Sequence, residues 1–193
     1  MQFLINTSLE PFGCALIQDH KILEISLWDD FRKGGEASWE FLDTHKNLWS
    51  QITLIGGVSG PGGFSNLRVA GVILNALSLK LELPIHQVRA DKVVESLLSS
   101  QNKEALFLLN SFGSAVFESD QGNLKRLELE QAVDKFGSTE TCVSFLPTVK
   151  QAGFTKPIVI DKEQLYPCIG SIIQSVPPQS IFVPDYEYPA VQS

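Results

Sequence analysis

The sequence predicts an α/β protein of two related lobes, and three observations carry that expectation. Two short apolar runs, FLINTS and GCALIQ, open the chain, and KILEISLW follows across the polar turn Asp19-His20, which reads as a strand meander. An apolar run, ITLI, then passes through the glycine-rich GGVSGPGGFSNLR of Gly56 to Arg68 into VAGVILNALSLKL, a strand–turn–helix unit. Further on, ALFLLN and GSAVFES repeat the opening plan: a strand, a turn beginning in Asn, and a returning strand. The division that follows is 1–97 for an N-terminal lobe carrying the glycine-rich turn and 98–193 for a smaller C-terminal lobe.

The remaining elements fall into place around these. RKGGE reads as a loop, and from Ala37 to Trp49 the positions Trp39, Phe41, Leu42, Leu48 and Trp49 give helical spacing with a broad apolar face. Ser65 or Asn66 can cap the helix after the glycine turn. In that helix Arg68, Asn75 and Glu82 form one narrow polar stripe. A helix apolar around the rest of its circumference is buried on more than one side, and a partner subunit can supply part of that burial. Pro84 ends it, PIHQV reads as a short strand and ADKVVESLLSSQNKE as a helix. In the second half GNLKRLEL adds a strand, LEQAVDKF a short helix, and TCVSF and KPIVI further strands. DKEQLYPCIGSIIQSV is helical in spite of Pro167, and the proline-rich end, VPPQSIFVPDYEYPAVQS, is extended.

Bulk properties exclude several functions. The chain has 193 residues, 44% of them hydrophobic, and a net charge of −7. Its fifteen Lys and Arg residues are scattered, with nothing denser than Arg32-Lys33 or Lys125-Arg126, so the chain alone lacks the cationic footprint of a nucleic-acid binder. The N-terminus has neither a basic region nor a long apolar run, and Val69 to Leu79 is too short to span a bilayer. Three cysteines, Cys14, Cys142 and Cys168, without metal-type spacing suit free thiols in a reducing compartment, and a cytoplasmic location is the expectation.

No catalytic set emerges from the residues. The glycine-rich turn is not a phosphate-binding loop of the Gly-Lys-Ser/Thr type, nor does it give G-x-G-x-x-G. Free N–H groups at a helix start can still hold an anion, or the glycines can simply let strand and helix pack closely. His20, His45 and His86 are isolated, none with a second His four residues on, so no metal is expected. Cys14 and Cys142 sit in apolar strands, where cysteine packs as a small hydrophobe. Asp29-Asp30 reads as solvated surface, and DYEY as an exposed tail with two packing aromatics.

FLINTS, GGVSGPGGFSNLRVAG, LELPIHQV and PDYEYPA, in this order and spacing over essentially the whole chain, resemble the TsaB (YeaZ) family. The resemblance implies the actin-like ATPase (ribonuclease H-like) fold, two related lobes each with a mixed sheet flanked by helices. It implies a part in the synthesis of threonylcarbamoyladenosine in transfer RNA. Of the family's turn, Gly-Pro-Gly-Ser-Phe-Thr-Gly-Leu-Arg, this chain keeps Gly60, Pro61, Gly62, Phe64, Leu67 and Arg68, with Gly63 and the Ser65-Asn66 pair in place of the others. Where the family and its active relatives carry Asp at the end of the first strand, this chain has Asn6, and the corresponding turn of the second half reads Asn110-Ser111-Phe112. A neutral amide does not supply the charge that a metal–nucleotide complex needs. The family's His-Ser helix start is replaced by KGGEASWEFL.

The resemblance therefore implies a non-catalytic scaffold or activator for a larger TsaD-like catalytic paralogue, without a cofactor of its own. Further expected partners are a TsaE-like ATPase and, through the complex only, transfer RNA; a homodimer is the alternative use of the same surface. In the family the two N-terminal helices pack on their counterparts in the paralogue, so Trp39, Leu42, Trp49, Phe64, Leu67 and Leu74 are the candidate interface residues. A divergent phosphotransferase or ATPase is the other reading, and it would need a carboxylate from elsewhere, such as Glu10 or Asp120.

Overall fold

The structure, a computed structural model, describes residues 1–29, 33–100, 107–110, 115–120, 123–138, 143–144, 154 and 160–186. Five strands form one mixed sheet: β1 (Gln2–Asn6), β2 (Phe12–Gln18), β3 (Lys21–Trp28), β4 (Leu54–Gly60) and β5 (Ile85–Arg89), in the order β3-β2-β1-β4-β5. β1 pairs antiparallel with β2, Ile5 facing Cys14, and parallel with β4, Ile5 facing Gly57. β5 continues the parallel side and is the edge strand there.

Side chains alternate along the strands, as the pleat requires. Phe3, Ile5, Cys14 and Leu16 enter one apolar cluster, and Leu4, Ala15 and Ile17 the other. With both faces covered, β1 and β2 read as continuous apolar runs rather than as alternating ones. Helices α1 (Gly34–Thr44) and α2 (Phe64–Leu81) close the first face through Phe41, Leu42, Ala70, Ile73, Leu74 and Leu77. Helix α3 (Ala90–Ser100) helps to close the second.

A second sheet repeats the plan. β6 (Phe107–Asn110), β7 (Ala115–Asp120) and β8 (Asn123–Glu128) form an antiparallel meander, and β6 pairs parallel with β9 (Val143–Ser144), giving β8-β7-β6-β9. Helix α4 (Leu129–Phe136) follows β8 as α1 follows β3, opened by a reciprocal capping box between Glu128 and Gln131. Helix α5 (Lys162–Ser175), capped by the Asp161 side chain, returns to the first sheet, where Leu165, Tyr166, Ile169 and Ile173 pack with Val93, Val94 and Leu97 of α3. α3 runs across position 97/98, so the layers around the first sheet draw on both halves of the chain.

Three helix ends differ from the sequence expectation. The helix expected from Ala37 to Trp49 begins at Gly34 and stops at Thr44, and Lys46–Gln51 forms a separate 3₁₀ turn. The break falls at His45: its backbone N–H makes the last helical bond to the Phe41 carbonyl at 3.1 Å, and its ring Nδ1 donates to the same oxygen at 2.8 Å. α2 starts at Phe64 with Gly63 as its extended N-cap, so neither Ser65 nor Asn66 caps it. Of the other expected strands, TCVSF is described only at Val143–Ser144 and KPIVI only at the buried Ile160. The turn Ser111-Phe112 and Cys142 lie outside the described residues.

Candidate functional site

β1, β4 and β5 run parallel, so their C-terminal ends share one edge of the sheet, the place where open α/β sheets build their sites. β1 ends in Asn6, which is fully buried. Its Nδ2 donates to the carbonyls of Leu9 at 2.6 Å and Pro11 at 3.2 Å. Its Oδ1 accepts from the N–H groups of Ser8 at 3.2 Å and Leu9 at 3.0 Å. Both donors and both acceptor positions of the amide are thus consumed inside the turn that joins β1 to β2. Asn6 is a knot, with nothing left over for a metal or a nucleotide.

The glycine-rich turn packs directly on this knot. The Ser8 hydroxyl donates to the Pro61 carbonyl, and a Cβ on Gly62 would stand 3.0 Å from the same hydroxyl oxygen. Gly60 has φ of 125°, a conformation for glycine only, and a Cβ there would meet the Asp185 backbone carbonyl as well as Leu67. Between the two ways of reading the turn, these contacts favour close packing. Gly63 starts α2, and Arg68 lies over the Phe64 ring, 5.2 Å from its centre.

The candidate interface residues divide. Leu42, Leu67 and Leu74 are buried in the chain's own core, because the sheet fully occupies that side of α1 and α2. They form no outer surface, which corrects the expectation for these three. Trp49 sits on the 3₁₀ turn, not on α1, and folds back so that its indole N–H donates to the Leu42 carbonyl at 3.1 Å. Trp39 and Phe64 are exposed, 63% and 44%. On α2 the residues facing outwards are Ser65, Arg68, Val72, Ala76 and Leu79, spaced three or four apart along one stripe. Val72 is 70% and Leu79 84% exposed, and sequence reasoning missed both because a stripe of apolar residues on an apolar helix has no contrast. α1 borders the stripe on one side, where Gly35 lies against Val69.

The chain's end borders it on the other. Asn75, expected in the narrow polar stripe with Arg68 and Glu82, accepts from the Phe182 N–H at 2.8 Å. Phe182 is buried against Gly71, while its neighbours Ile181 and Val183 are exposed. The expected exposed tail is therefore anchored at its start: Asp185 pairs with Arg89, and the Tyr186 ring packs on Phe64 with centres 4.8 Å apart. Glu187 and Tyr188 lie outside the described residues.

Among the described residues, titratable groups elsewhere do not assemble a catalytic set. The three histidines stand apart: His20 shares a hydrogen bond with Ser171, His45 donates to Phe41 and His86 to Val176. Among the described residues no three His, Cys, Asp or Glu side chains converge where a metal ion could sit. Burial pushes the Cys14 thiol up to about 12, so it stays a protonated packing group. Burial, with Asp29 nearby, also raises the half-buried Glu10 carboxyl to about 7. No helix among the described residues is long and apolar enough to cross a membrane.

No protein-family model matches the sequence, and no curated protein matches it. Among solved structures it is similar to YeaZ from Pseudomonas aeruginosa, with a TM-score of 0.61 at 16% identity, covering 96% of this chain and 98% of that one. A second is an uncharacterised protein with similarity to peptidase YEAZ from Pseudomonas aeruginosa, with the same TM-score of 0.61 and the same 96% and 98% coverage at 17% identity. Coverage that is nearly complete in both directions leaves little of either chain outside the common architecture. The chain has the fold of YeaZ.

Proposed function

We propose that this chain is a divergent TsaB (YeaZ)-type subunit with the two-lobed actin-like fold. It acts as a non-catalytic scaffold and activator for a larger TsaD-like paralogue that threonylcarbamoylates adenosine in transfer RNA. The observation that carries the reading is the outer face of α2. Val72, Ala76 and Leu79 form an exposed apolar stripe, with Trp39 exposed on the adjoining helix α1. Spacing of three and four residues is what helix-on-helix packing uses. The likeness to YeaZ and the turn residues Gly60, Pro61, Gly62, Phe64, Leu67 and Arg68 support the same identification.

The assignment of a non-catalytic role rests on Asn6. The acid that the resemblance implies for active relatives is replaced by an amide whose hydrogen bonds all hold its own turn together. Transfer RNA and a TsaE-like ATPase reach the chain through the paralogue, in keeping with a net charge of −7 and scattered cations.

Light scattering after size-exclusion chromatography tests the reading on the chain alone and mixed with the TsaD-like paralogue of the same genome. A one-to-one complex is expected, and Val72→Glu with Leu79→Glu abolishes it while leaving the monomer folded. A homodimer that ignores the paralogue, or a complex indifferent to both substitutions, overturns it.

A further inference from the structure

The segment Gln179–Tyr186 follows α5 through Val176-Pro177-Pro178 and crosses the open edge of the first sheet. Apart from one isolated bridge, its ties lie outside the strand ladders of the sheet. Gln179 exchanges two backbone hydrogen bonds with Ile85 of the edge strand, at 2.9 and 2.8 Å. After that it joins no ladder: the Phe182 N–H goes to the Asn75 side chain, and the Val183 N–H to the Gln87 side chain at 3.0 Å. Phe182 fills a socket against Gly71, where a Cβ would stand 3.3 Å from its ring. The Asp185 N–H donates to the Ser59 carbonyl at 2.6 Å, and its carboxylate meets the Arg89 guanidinium, which also holds Asp91 at 2.9 Å.

We propose that Gln179–Tyr186 is a latched strap that opens as a unit while the five-stranded sheet stays intact, with the Arg89–Asp185 ion pair as its latch. The closed strap covers the edge of β5, where an unpaired strand would otherwise invite pairing with another chain. Opening frees that edge, empties the Phe182 socket and lifts Tyr186 from Phe64 at the head of α2. Because Ile181 and Val183 flank the α2 stripe only when the strap is closed, strap state sets the shape of one side of the proposed docking face. That last consequence rests on the function proposed above; the opening itself does not.

Residue-resolved hydrogen exchange of the full chain tests it without any partner. The amides of Ile85, Phe182, Val183 and Asp185 are expected to exchange at a common opening rate, at least about 10-fold faster than those of Leu4 and Ile5 in β1. Asp185→Asn removes the charge-assisted half of the latch and speeds the strap group about 10-fold more, leaving β1 unchanged. Should that variant fail to fold, the wild-type chain decides at raised ionic strength. Salt screens this partly exposed pair, so the strap group accelerates and β1 does not. Strap amides that exchange in step with β1, or a gap that neither the substitution nor salt widens, overturn the proposal. Failure to bind the paralogue with a strap that opens as described overturns only the proposed function.

Discussion

The side chains of Asn6 and Tyr166 converge on one acceptor: each donates to the carbonyl oxygen of Pro11, at 3.2 Å. Asn6 closes β1 and Tyr166 comes from α5, so this oxygen ties the first strand to a helix from the far end of the chain. Burial holds the Tyr166 hydroxyl well above its ordinary pKa, which favours the protonated, donating form. An aspartate at position 6 could accept from Ser8 and Leu9 but would aim a carboxylate at two carbonyl oxygens. Asn6→Asp is expected to cost about 2–3 kcal/mol in urea unfolding and to confer no nucleotide binding. Tyr166→Phe costs about 1 kcal/mol, since Asn6 still serves the shared oxygen. Metal-dependent nucleotide binding by the Asp variant, on an unweakened fold, would refute the view of Asn6 as a structural knot.

The two tryptophans part company. Trp39 stands on the exposed side of α1, whereas Trp49 packs back on the core with its indole bonded to Leu42. Trp39→Ala is expected to change stability by no more than about 0.5 kcal/mol, as surface substitutions do. In a complex built on this face it costs about 2 kcal/mol of affinity, near 30-fold. Trp49→Ala leaves the Leu42 carbonyl without its donor and strips apolar contact, lowering stability by about 2–3 kcal/mol. Thermal denaturation of both variants beside titration against the paralogue separates the roles; equal losses in both measurements would contradict the division.

Gly60 joins the turn to the strap. Its φ of 125° is closed to side chains, and a Cβ would press on the Asp185 backbone and on Leu67. Gly60→Ala is expected to destabilise by about 3 kcal/mol, the upper end of what such backbone strain costs. It should also loosen the strap, read as faster exchange at Phe182 and Val183. Gly63→Ala, at an ordinary backbone conformation with φ −62° and ψ 129°, serves as the control and changes little.

The sequence shows the first sheet clearly because both of its faces are buried. Unbroken apolar runs such as FLIN and CALI admit few other readings at that length, and they recur as β1 and β2. The same uniform hydrophobicity hides the docking stripe. On a helix that is apolar nearly all round, Leu74 facing the sheet and Leu79 facing solvent look alike until the sheet is placed. The strap is illegible for another reason. Its ties to Asn75, Gln87 and Arg89 join residues about a hundred positions apart, and each of those partners has an ordinary surface composition. In the sequence Ile181, Phe182 and Val183 are one apolar run, and their order exposed, buried, exposed appears only once the segment is placed on α2.

Glu10 gives the fold a pH dependence whose sign is fixed. Desolvation first and the Asp29 charge second raise its carboxyl from 4.5 to about 7 in the folded chain. Between those values the folded protein binds the proton more tightly than the unfolded one. The contribution to stability is therefore full below about pH 4.5 and is lost as pH rises through about 7. A shift of that size would be worth more on a fully buried group; solvent screening of this half-exposed one leaves about 1 kcal/mol. Glu10→Gln keeps the shape and removes the charge. Urea unfolding of the variant should show a flatter profile between pH 5 and 8 and a gain of about 1 kcal/mol at pH 8, where wild-type Glu10 is ionised. A variant whose stability follows the wild type at every pH would mean that Glu10 is more fully hydrated than its position against Asp29 implies.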